Sequence, residues 1–307
     1  GNYNTALGMY ALDANTTASY NTAVGYMAAD SVTTGGKNTA VGHTALGAVT
    51  STGEHVAIGY YALAGNTDGE RNTAVGTEAG ISCTTANDNV YIGYKCANQN
   101  TTSGGNTFVG SYSGLYLDTA GDNVAMGFEA LRGASGSTAH PDGNTALGYG
   151  AMKGALDCNN NVAIGMHCMA YQQSNNSNTA AGYAALRYST TGDANTALGK
   201  DAGLNCSSGQ CNVYLGCEAA DETTTGSYNT IVGFNASQGN TTGSNNVSLG
   251  YKAGNTGNGD NQLHIARSNG GAGSASQWIV GDSSGNCYQG SNSSSWSTTS
   301  DRRLKKN

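Results

Sequence analysis

The five residues Asn4-Thr5-Ala6-Leu7-Gly8 decide the fold, because the chain repeats them along most of its length. They return as Asn21-Thr22-Ala23-Val24-Gly25, and the series continues to Asn246-Val247-Ser248-Leu249-Gly250. Fifteen copies follow one another with a 17-residue period, broken by one longer step between Asn123 and Asn144. A fixed period of this size predicts a solenoid in which each repeat forms one coil.

We number each repeat from its Asn, so that the pentapeptide occupies places 1 to 5. Place 1 is Asn except at His55, place 2 is Thr or Val, place 3 is mostly Ala, place 4 is apolar and place 5 is always Gly. Places 10 to 17 are rich in Thr, Ser, Asn, Asp and Gly, as expected of turns. The positions that we expect to be structural are Asn4, Gly8, Asn21, Gly25, Asn38, Gly42, Gly59, Gly76, Gly93, Gly110, Gly127, Gly148, Gly165, Gly182, Gly199, Gly216, Gly233 and Gly250.

Places 2 to 4 are predicted to form a short β-strand, with places 2 and 4 on one face and place 3 on the other. Neither face carries a charged residue, which is typical of a strand buried on both sides. We expect place 4 to fill the core of the coil and place 3 to meet a neighbouring chain. Gly at place 5 suits a positive φ or a close backbone approach, and places 7 to 9 are predicted to form a second short strand.

Stacked coils place equivalent residues about 4.8 Å apart, so the repeats predict a rod of roughly 70 Å. The Asn residues at place 1 are expected to form a hydrogen-bonded ladder that His55 interrupts. Burying the place 4 residue contributes about 1.5–3 kcal/mol per coil. Ordering the backbone costs on the order of 1–2 kcal/mol per residue. Because so thin a core supplies little burial, we expect a symmetric homo-oligomer.

The composition excludes several classes of function. Only 11% of the 307 residues are charged and the net charge is -7, so no basic patch points to nucleic acid. No apolar run approaches the roughly 20 residues that span a bilayer, so we expect no membrane insertion. The eight Cys lack paired Cys-x-x-Cys spacing, so we expect no metal and no cofactor. Cys96 and Cys168 are expected in the core at place 8, and Cys206 and Cys211 lie in one loop where a bridge could form.

The recurring Asn-Thr-Ala-Val-Gly, followed by a small residue three places after the Gly, resembles the head repeat of trimeric autotransporter adhesins of the YadA type. It is equally similar to repeats of bacteriophage tail fibres. The resemblance covers residues 1–260. It implies an all-β fold, a left-handed parallel β-roll or solenoid of about fifteen 17-residue coils, with three chains packed around a threefold axis. The 17-residue period is longer than that of the commonest adhesin head repeat, which implies larger surface loops.

The repeat pattern changes after the fifteenth copy. The step from Asn246 to Asn261 is shorter than the period, and Ile265 replaces the Gly. We expect residues 261–299 to form a cap or neck that closes the last coil. It is predicted to contain short strands around Trp278-Ile279-Val280 and Cys287-Tyr288.

Residues 300–307 are similar to the opening of the C-terminal intramolecular chaperone of phage tailspikes and fibres, the endosialidase type. In that family the chaperone trimerises the fibre and then releases itself by cutting between a Ser and an Asp. The resemblance implies that Ser300 is the nucleophile, Lys305 its base and Ser300–Asp301 the scissile bond, since a Ser hydroxyl needs an adjacent base. The alternative is a basic tail without this role. Beyond this single self-cleavage the chain is not predicted to be an enzyme.

These features predict a structural virion protein, the homotrimeric rod of an extracellular phage tail fibre. Its expected partners are other tail or fibre proteins and a host-surface glycan or protein. The alternative is the head of a trimeric adhesin on a bacterial cell surface, which needs a coiled-coil stalk and a membrane anchor downstream. An ice-binding face is disfavoured because Val interrupts the Thr row at place 2. A polysaccharide hydrolase needs paired carboxylates, and Asp221-Glu222 is interpreted as a solvated turn.

Two further expectations concern the surface. Aromatic residues at place 6 are expected to pack over the neighbouring coil or against the next subunit, with sugar binding as the alternative. The four extra residues of the long step, within Gly133 to Gly143, are predicted to form a protruding loop that leaves the rod unbroken. The place 6 aromatics are Tyr26, Tyr60, Tyr94, Phe128, Tyr149, Tyr183, Phe234 and Tyr251.

Overall fold

The computed structural model describes residues 1–136, 140–254, 257–267 and 277–289, and within these ranges the chain is a β-solenoid without helices. Each of the fifteen repeats contributes one three-residue strand at places 2 to 4, as predicted. The strands are β1 (Thr5–Leu7), β2 (Thr22–Val24), β3 (Thr39–Val41), β4 (Val56–Ile58), β5 (Thr73–Val75), β6 (Val90–Ile92), β7 (Thr107–Val109), β8 (Val124–Met126), β9 (Thr145–Leu147), β10 (Val162–Ile164), β11 (Thr179–Ala181), β12 (Thr196–Leu198), β13 (Val213–Leu215), β14 (Thr230–Val232), β15 (Val247–Leu249), β16 (Leu263–Ala266), β17 (Gln277–Gly281) and β18 (Cys287–Gln289).

The strands β1 to β15 stack in parallel, with every place directly over the same place of the next coil. Thr5 pairs with Thr22 and Leu7 with Val24, for example. The N–H of place 2 donates to the place 1 carbonyl of the following coil, as from Thr5 to Asn21 at 2.8 Å. The fifteen-coil parallel arrangement predicted from the period is therefore confirmed.

The long step between the eighth and ninth coils leaves this register unchanged. Strand β8 pairs with β9 through Val124 and Thr145, place 2 against place 2. The extra residues sit in the connecting turn, where residues 134–136 and His140 are exposed. The prediction that the insertion lies outside an unbroken rod is confirmed for the residues that the structure describes.

Gly at place 5 meets both conditions that were predicted for it. Its φ lies between +117° and +140° in all fifteen coils, a region that residues with a side chain rarely adopt. A Cβ at Gly8 would lie 2.4 Å from the carbonyl oxygen of Gly25, and the first fourteen coils repeat this contact at 2.3–2.7 Å. Any other residue would therefore push neighbouring coils apart.

The assignment of the two strand faces was wrong. Place 3 points into the coil, and Ala23, Ala40 and Ala57 are completely buried. Place 4 points outward, and Leu7 and Ile164 are 67% and 44% exposed. The coil is thin, so its interior accepts the small side chain and leaves the large one outside. The core consists of place 3 together with Ala, Cys or Ser at place 8 and mostly Leu, Met or Ala at place 9.

The second strand predicted at places 7 to 9 does not form. These residues lie in a turn, and places 7 and 9 adopt left-handed φ values, as at Met27 (53°) and Ala29 (50°). Residues that alternate with left-handed φ cannot form an extended ladder. The turn instead directs both Ala28 and Ala29 into the core, where they are 0% and 1% exposed.

Large residues at place 3 are accommodated by Gly at place 9. Tyr214 is completely buried, and a Cβ on Gly203 would lie 2.5 Å from its ring. Tyr91 stands in the same relation to Gly80 of the preceding coil, at 2.7 Å, whereas the ring of Phe108 lies 2.4 Å from a Cβ built on Gly114 of its own coil. A ring at place 3 therefore occupies the space that a side chain at place 9 of the same or the preceding coil would fill.

The Asn residues at place 1 cross-link the coils in two directions. The Oδ1 of Asn178 accepts a hydrogen bond from the backbone N–H of Asn195 at 2.8 Å, which joins one coil to the next. Its Nδ2 donates to the carbonyl of Gly192 at 2.9 Å, across its own coil. Nearly all of these side chains are buried, so each one satisfies backbone groups that water cannot reach. The predicted ladder thus exists, because in many coils the Oδ1 also accepts from the next side-chain amide, as Asn161 Oδ1 does from Asn178 Nδ2 at 3.2 Å, and the bonds to backbone groups add to it.

His55 continues this ladder, contrary to the prediction that it interrupts it. Its backbone N–H donates to Asn38 Oδ1 at 3.0 Å, and its Nδ1 accepts from the N–H of Asn72 at 3.3 Å. The ring must be unprotonated at Nδ1 to accept this bond. Burial lowers the pKa of His55, in keeping with a neutral ring. The rung is incomplete, since Nε2 has no hydrogen-bond partner among the described residues.

The end of the stack departs from the predicted alignment. Leu263 pairs with Val247, so Gln262 rather than Asn261 takes place 1, and its N–H donates to Asn246 Oδ1 at 2.8 Å. Ala266 lies against Gly250, in the position that place 5 of the next coil would occupy. Strand β17 then runs antiparallel to β16, and β18 antiparallel to β17, which ends the parallel stacking.

The exchange of volume between places 3 and 9 predicts a rescue. Tyr214→Ala is expected to destabilise the fold by about 3–5 kcal/mol because it leaves a cavity. Gly203→Leu alone is expected to cost about 1–3 kcal/mol by overpacking against Tyr214. The double variant recovers much of the loss, because Leu186 occupies the same place beside Ala180 and Ala197 with a φ of 49°.

Urea denaturation followed by circular dichroism measures all four proteins of this cycle. Tyr228→Ala, an exposed tyrosine, serves as the control and is expected to change the midpoint little. If the double variant lost as much free energy of unfolding as the two single variants together, the exchange of volume between places 3 and 9 would be contradicted.

The buried His55 predicts a pH-dependent stability. The folded pKa lies below the unfolded value, so the unfolded state binds more protons and stability falls as the pH drops below about 6.5. His55→Asn is expected to restore the regular rung and to reduce the difference between melting temperatures at pH 8 and pH 5. Burial also lowers the pKa of His264, so its contribution to the pH dependence is present in the wild-type protein and in His55→Asn alike. His140→Asn, in an exposed loop, is the control, and an unchanged pH dependence in His55→Asn would contradict the assignment.

Candidate functional site

A long exposed surface is formed by the outer side of the strands, which we call the strand face and define as the side chains at places 2, 4 and 6. Ile58, Ile92, Met126 and Leu198, all at place 4, are 38–47% exposed. No Asp, Glu, Lys or Arg occurs at places 1 to 5 of any coil, and Lys200 is the single one at place 6. Three rows of Thr or Val, aliphatic and largely aromatic residues therefore run side by side along the rod. An apolar patch this long is typical of an interaction surface.

The place 6 row is held by contacts between neighbouring coils. The rings of Tyr26, His43 and Tyr60 stack at centroid distances of 5.2 and 5.1 Å. Phe128 and Tyr149 stack at 5.4 Å. These rings cover one another, which supports the interpretation that they pack over the neighbouring coil. The eight predicted aromatics nevertheless remain 41–49% exposed, so a large part of each ring is available to a partner.

Charged residues lie elsewhere on the coil and pair along the rod. Lys37 binds Glu54 of the next coil at 2.8 Å, and Arg71 binds Asp88 at 2.6 Å, all at place 17. These pairs are exposed, so each contributes at most about 1 kcal/mol. Their position matters more than their strength, because it leaves Lys200 as the single Asp, Glu, Lys or Arg of the strand face.

The interpretation of Asp221-Glu222 as a solvated turn holds for one of its two carboxylates. Glu222 is exposed, but Asp221 is half-buried and its Oδ1 has no hydrogen-bond partner in the described part of the chain. Burial raises the pKa of Asp221 to about 6, and the charges of Glu222 and Glu218 add to this effect. Within the described ranges no group of three or more His, Cys, Asp or Glu side chains is arranged to hold a metal ion.

Five of the eight cysteines are buried and none of the eight is bonded to another. Burial raises the pKa of Cys96 and of Cys168 to about 12, so these thiols stay protonated and behave as small core residues, as predicted. The bridge considered between Cys206 and Cys211 is absent. Cys206 is buried, where it donates to the Gly209 carbonyl at 3.5 Å, while Cys211 is exposed.

The predicted catalytic residues Ser300 and Lys305 lie outside the described residues, so their geometry does not enter the site. The described part of the chain contains no helix that is long and apolar enough to cross a membrane. Sequence reasoning missed one regular feature of the surface, a row of hydrogen bonds at place 16. The alternation of Ser, Asn, Asp and Gly there was interpreted only as turn chemistry.

Comparison of the chain with protein-family models, with curated proteins and with solved structures finds no match.

Proposed function

We propose that this chain is the structural rod of a phage tail fibre, a homotrimer that projects from the virion and supports or mediates attachment to the host cell surface. The observation that carries the proposal is the strand face, which runs the length of the solenoid, contains Lys200 as its single Asp, Glu, Lys or Arg, and is half exposed in the single chain. A face of this kind is stable in water when copies of the chain cover it.

Closed symmetry favours a small ring of identical chains. Every coil presents the same surface in the same register, so chains related by rotation about the rod axis bring the same rows together. The resemblance to trimeric adhesin heads and phage fibres makes three the proposed number. The aliphatic row at place 4 and the aromatic row at place 6 supply the buried area.

The C-terminal segment favours a phage fibre over the alternative, a bacterial adhesin head. Residues 300–307 resemble the start of a self-cleaving chaperone, whereas an adhesin continues into a coiled-coil stalk and a membrane anchor. Sequencing the gene on both sides distinguishes the two, since heptads followed by four amphipathic strands would favour the adhesin.

The trimer proposal predicts the effect of charge on the strand face. Ile92→Lys with Ile164→Lys places six ammonium groups in a trimeric interface, and desolvating each costs several kcal/mol. We expect the native mass to fall from three chains to one, with the β-sheet signal retained. The matched control is Gln99→Lys with Gln173→Lys, which adds the same charge at exposed positions elsewhere on the same two coils. If native mass spectrometry found the wild-type protein to be a monomer, the trimer proposal would be wrong.

The chaperone proposal predicts one cut. When the chain is expressed together with the downstream sequence of its gene, the mature product is expected to end at Ser300. Ser300→Ala is expected to abolish the cut, and Lys305→Ala to slow it strongly, because the hydroxyl then lacks its base. Ser297→Ala is the control for a serine nearby. Intact-mass measurement reads the outcome, and a mature chain that continues past Ser300 would exclude self-cleavage at this bond.

A further inference from the structure

A second ladder of hydrogen bonds runs along the rod at place 16. The backbone N–H at place 16 of one coil donates to the side chain at place 16 of the next. Glu70 donates to Asn87 Oδ1 at 2.7 Å, Asn176 to Asp193 Oδ1 at 2.6 Å, and Ser227 to the Ser244 hydroxyl at 3.1 Å. The bond forms where the next coil offers an Asn, an Asp or a Ser.

The ladder is open over three consecutive coils near the start of the chain. Gly36 and Gly53 have no side chain to accept from Ser19 and Gly36. The carboxylate of Glu70 accepts from Arg71 at 2.6 Å, and the N–H of Gly53 has no acceptor among the described residues. Within the described ranges, the N–H groups of Ser19, Gly36 and Gly53 therefore all lack a hydrogen-bond acceptor. The three residues are half-buried, so each keeps part of its surface exposed.

The three residues line a surface groove of about 470 Å³. Place 17 contributes Tyr20 and the ion pair of Lys37 and Glu54 to the same lining. Tyr20 is 60% exposed, and Tyr3 stacks on its ring at 5.0 Å. Hydroxyl-bearing residues at place 14 and one further carboxylate complete the lining, namely Thr17, Thr34 and Glu70.

The charges of the groove favour a neutral ligand. Lys37 is balanced by Glu54, while Arg71 is shared between Glu70 and Asp88, so no unpaired positive charge is left to attract an anion. The unpaired groups are hydrogen-bond donors, so the ligand must offer oxygen acceptors. Hydroxyls, a mixed ion pair and an exposed aromatic ring together are the usual surroundings of a sugar, whose apolar face packs on the ring.

The spacing of the donors favours a sugar chain over a peptide. The donors recur once per coil, about 4.8 Å apart along the rod. Carbonyls on one side of an extended peptide recur only every second residue, about 6.6 Å apart, and lose register with the coils. Successive rings of an extended oligosaccharide repeat at a spacing close to that of the coils, so each can present one oxygen to one donor.

We propose that this groove binds a neutral, N-acetylated oligosaccharide that lies along the rod. Acetamido carbonyls and hydroxyl oxygens of successive rings accept from the N–H groups of Ser19, Gly36 and Gly53, and one ring packs against Tyr20. The groove belongs to a single chain and does not require the trimer. A trimeric protein that failed to bind sugar would overturn this inference and leave the proposed fibre function standing.

The probe is the β-1,4-linked trimer of N-acetylglucosamine, titrated into the wild-type protein by calorimetry and by NMR of the backbone amides. Binding with shifts at the three donor amides is expected. Tyr20→Ala is expected to weaken binding at least tenfold. Tyr228→Ala is the matched control, because Tyr228 has the same place and is 61% exposed, but Ser227 beside it has a closed rung. It is expected to change nothing.

Gly36→Asn supplies the acceptor that other coils carry, and it is expected to abolish binding by filling the groove. A Cβ at this position lies 2.8 Å from the Ser19 carbonyl oxygen, so the backbone must move by a few tenths of an ångström. Tyr20→Ala tests the groove without this risk. Absence of binding at millimolar sugar, equal losses in Tyr20→Ala and Tyr228→Ala, or binding of an extended peptide in place of the sugar would each overturn the inference.

Discussion

The close contact between successive Gly residues at place 5 is the constraint on which the rest of the rod depends. With 2.3–2.7 Å between a built Cβ and the next carbonyl in the first fourteen coils, only a residue without a side chain lets the coils approach. That approach permits the hydrogen bonds of the neighbouring places, such as Gly25 N–H to the Leu7 carbonyl at 2.8 Å. It also fixes the register, since a coil that slipped by one residue would bring a side chain into this contact. The 21-residue step therefore adds its extra residues to a turn and leaves the strands aligned.

Coils held this close and this thin cannot be stabilised by a conventional core. Place 3 mostly holds Ala, and each aromatic residue there is accommodated by a Gly at place 9, as Tyr214 is by Gly203. Polar side chains take over part of the role of the core. Asn178 and its equivalents satisfy backbone groups in two directions, and place 16 repeats the device at the surface. Each coil thus depends on its neighbours for its hydrogen bonds, which is the expected behaviour of a solenoid.

Much of this could be predicted from the sequence, because a strict period carries its own register. The strands at places 2 to 4, the Gly contact and the Asn ladder followed from residue type and spacing. The faces of the strand did not, because both lack charge and burial then had to be inferred from size alone. Inferring burial from side-chain size gave the wrong face, because a thin coil has little room for the large apolar residues that normally form a core. The sequence did contain a signal that place 3 points inward. Place 9 is Gly in the coil before Tyr91 and in the coil before Tyr214, as Gly80 and Gly203. The open rungs at place 16 could not be distinguished from turn residues without the hydrogen bonds that surround them.

The reversal of the two faces changes what the repeat implies about function. The aliphatic residue at place 4 lies outside in every coil and next to a largely aromatic row, where it leaves a long, almost uncharged surface that water solvates poorly. The residues that stabilise a single coil and those available for assembly are therefore separated within one pentapeptide: Asn, Ala and Gly hold the coil, while Thr or Val and the aliphatic residue face outward. The turns share in holding the coil through places 8, 9 and 16, and variation in them, such as the consecutive glycines at place 16, shapes a surface groove while the strands keep their register.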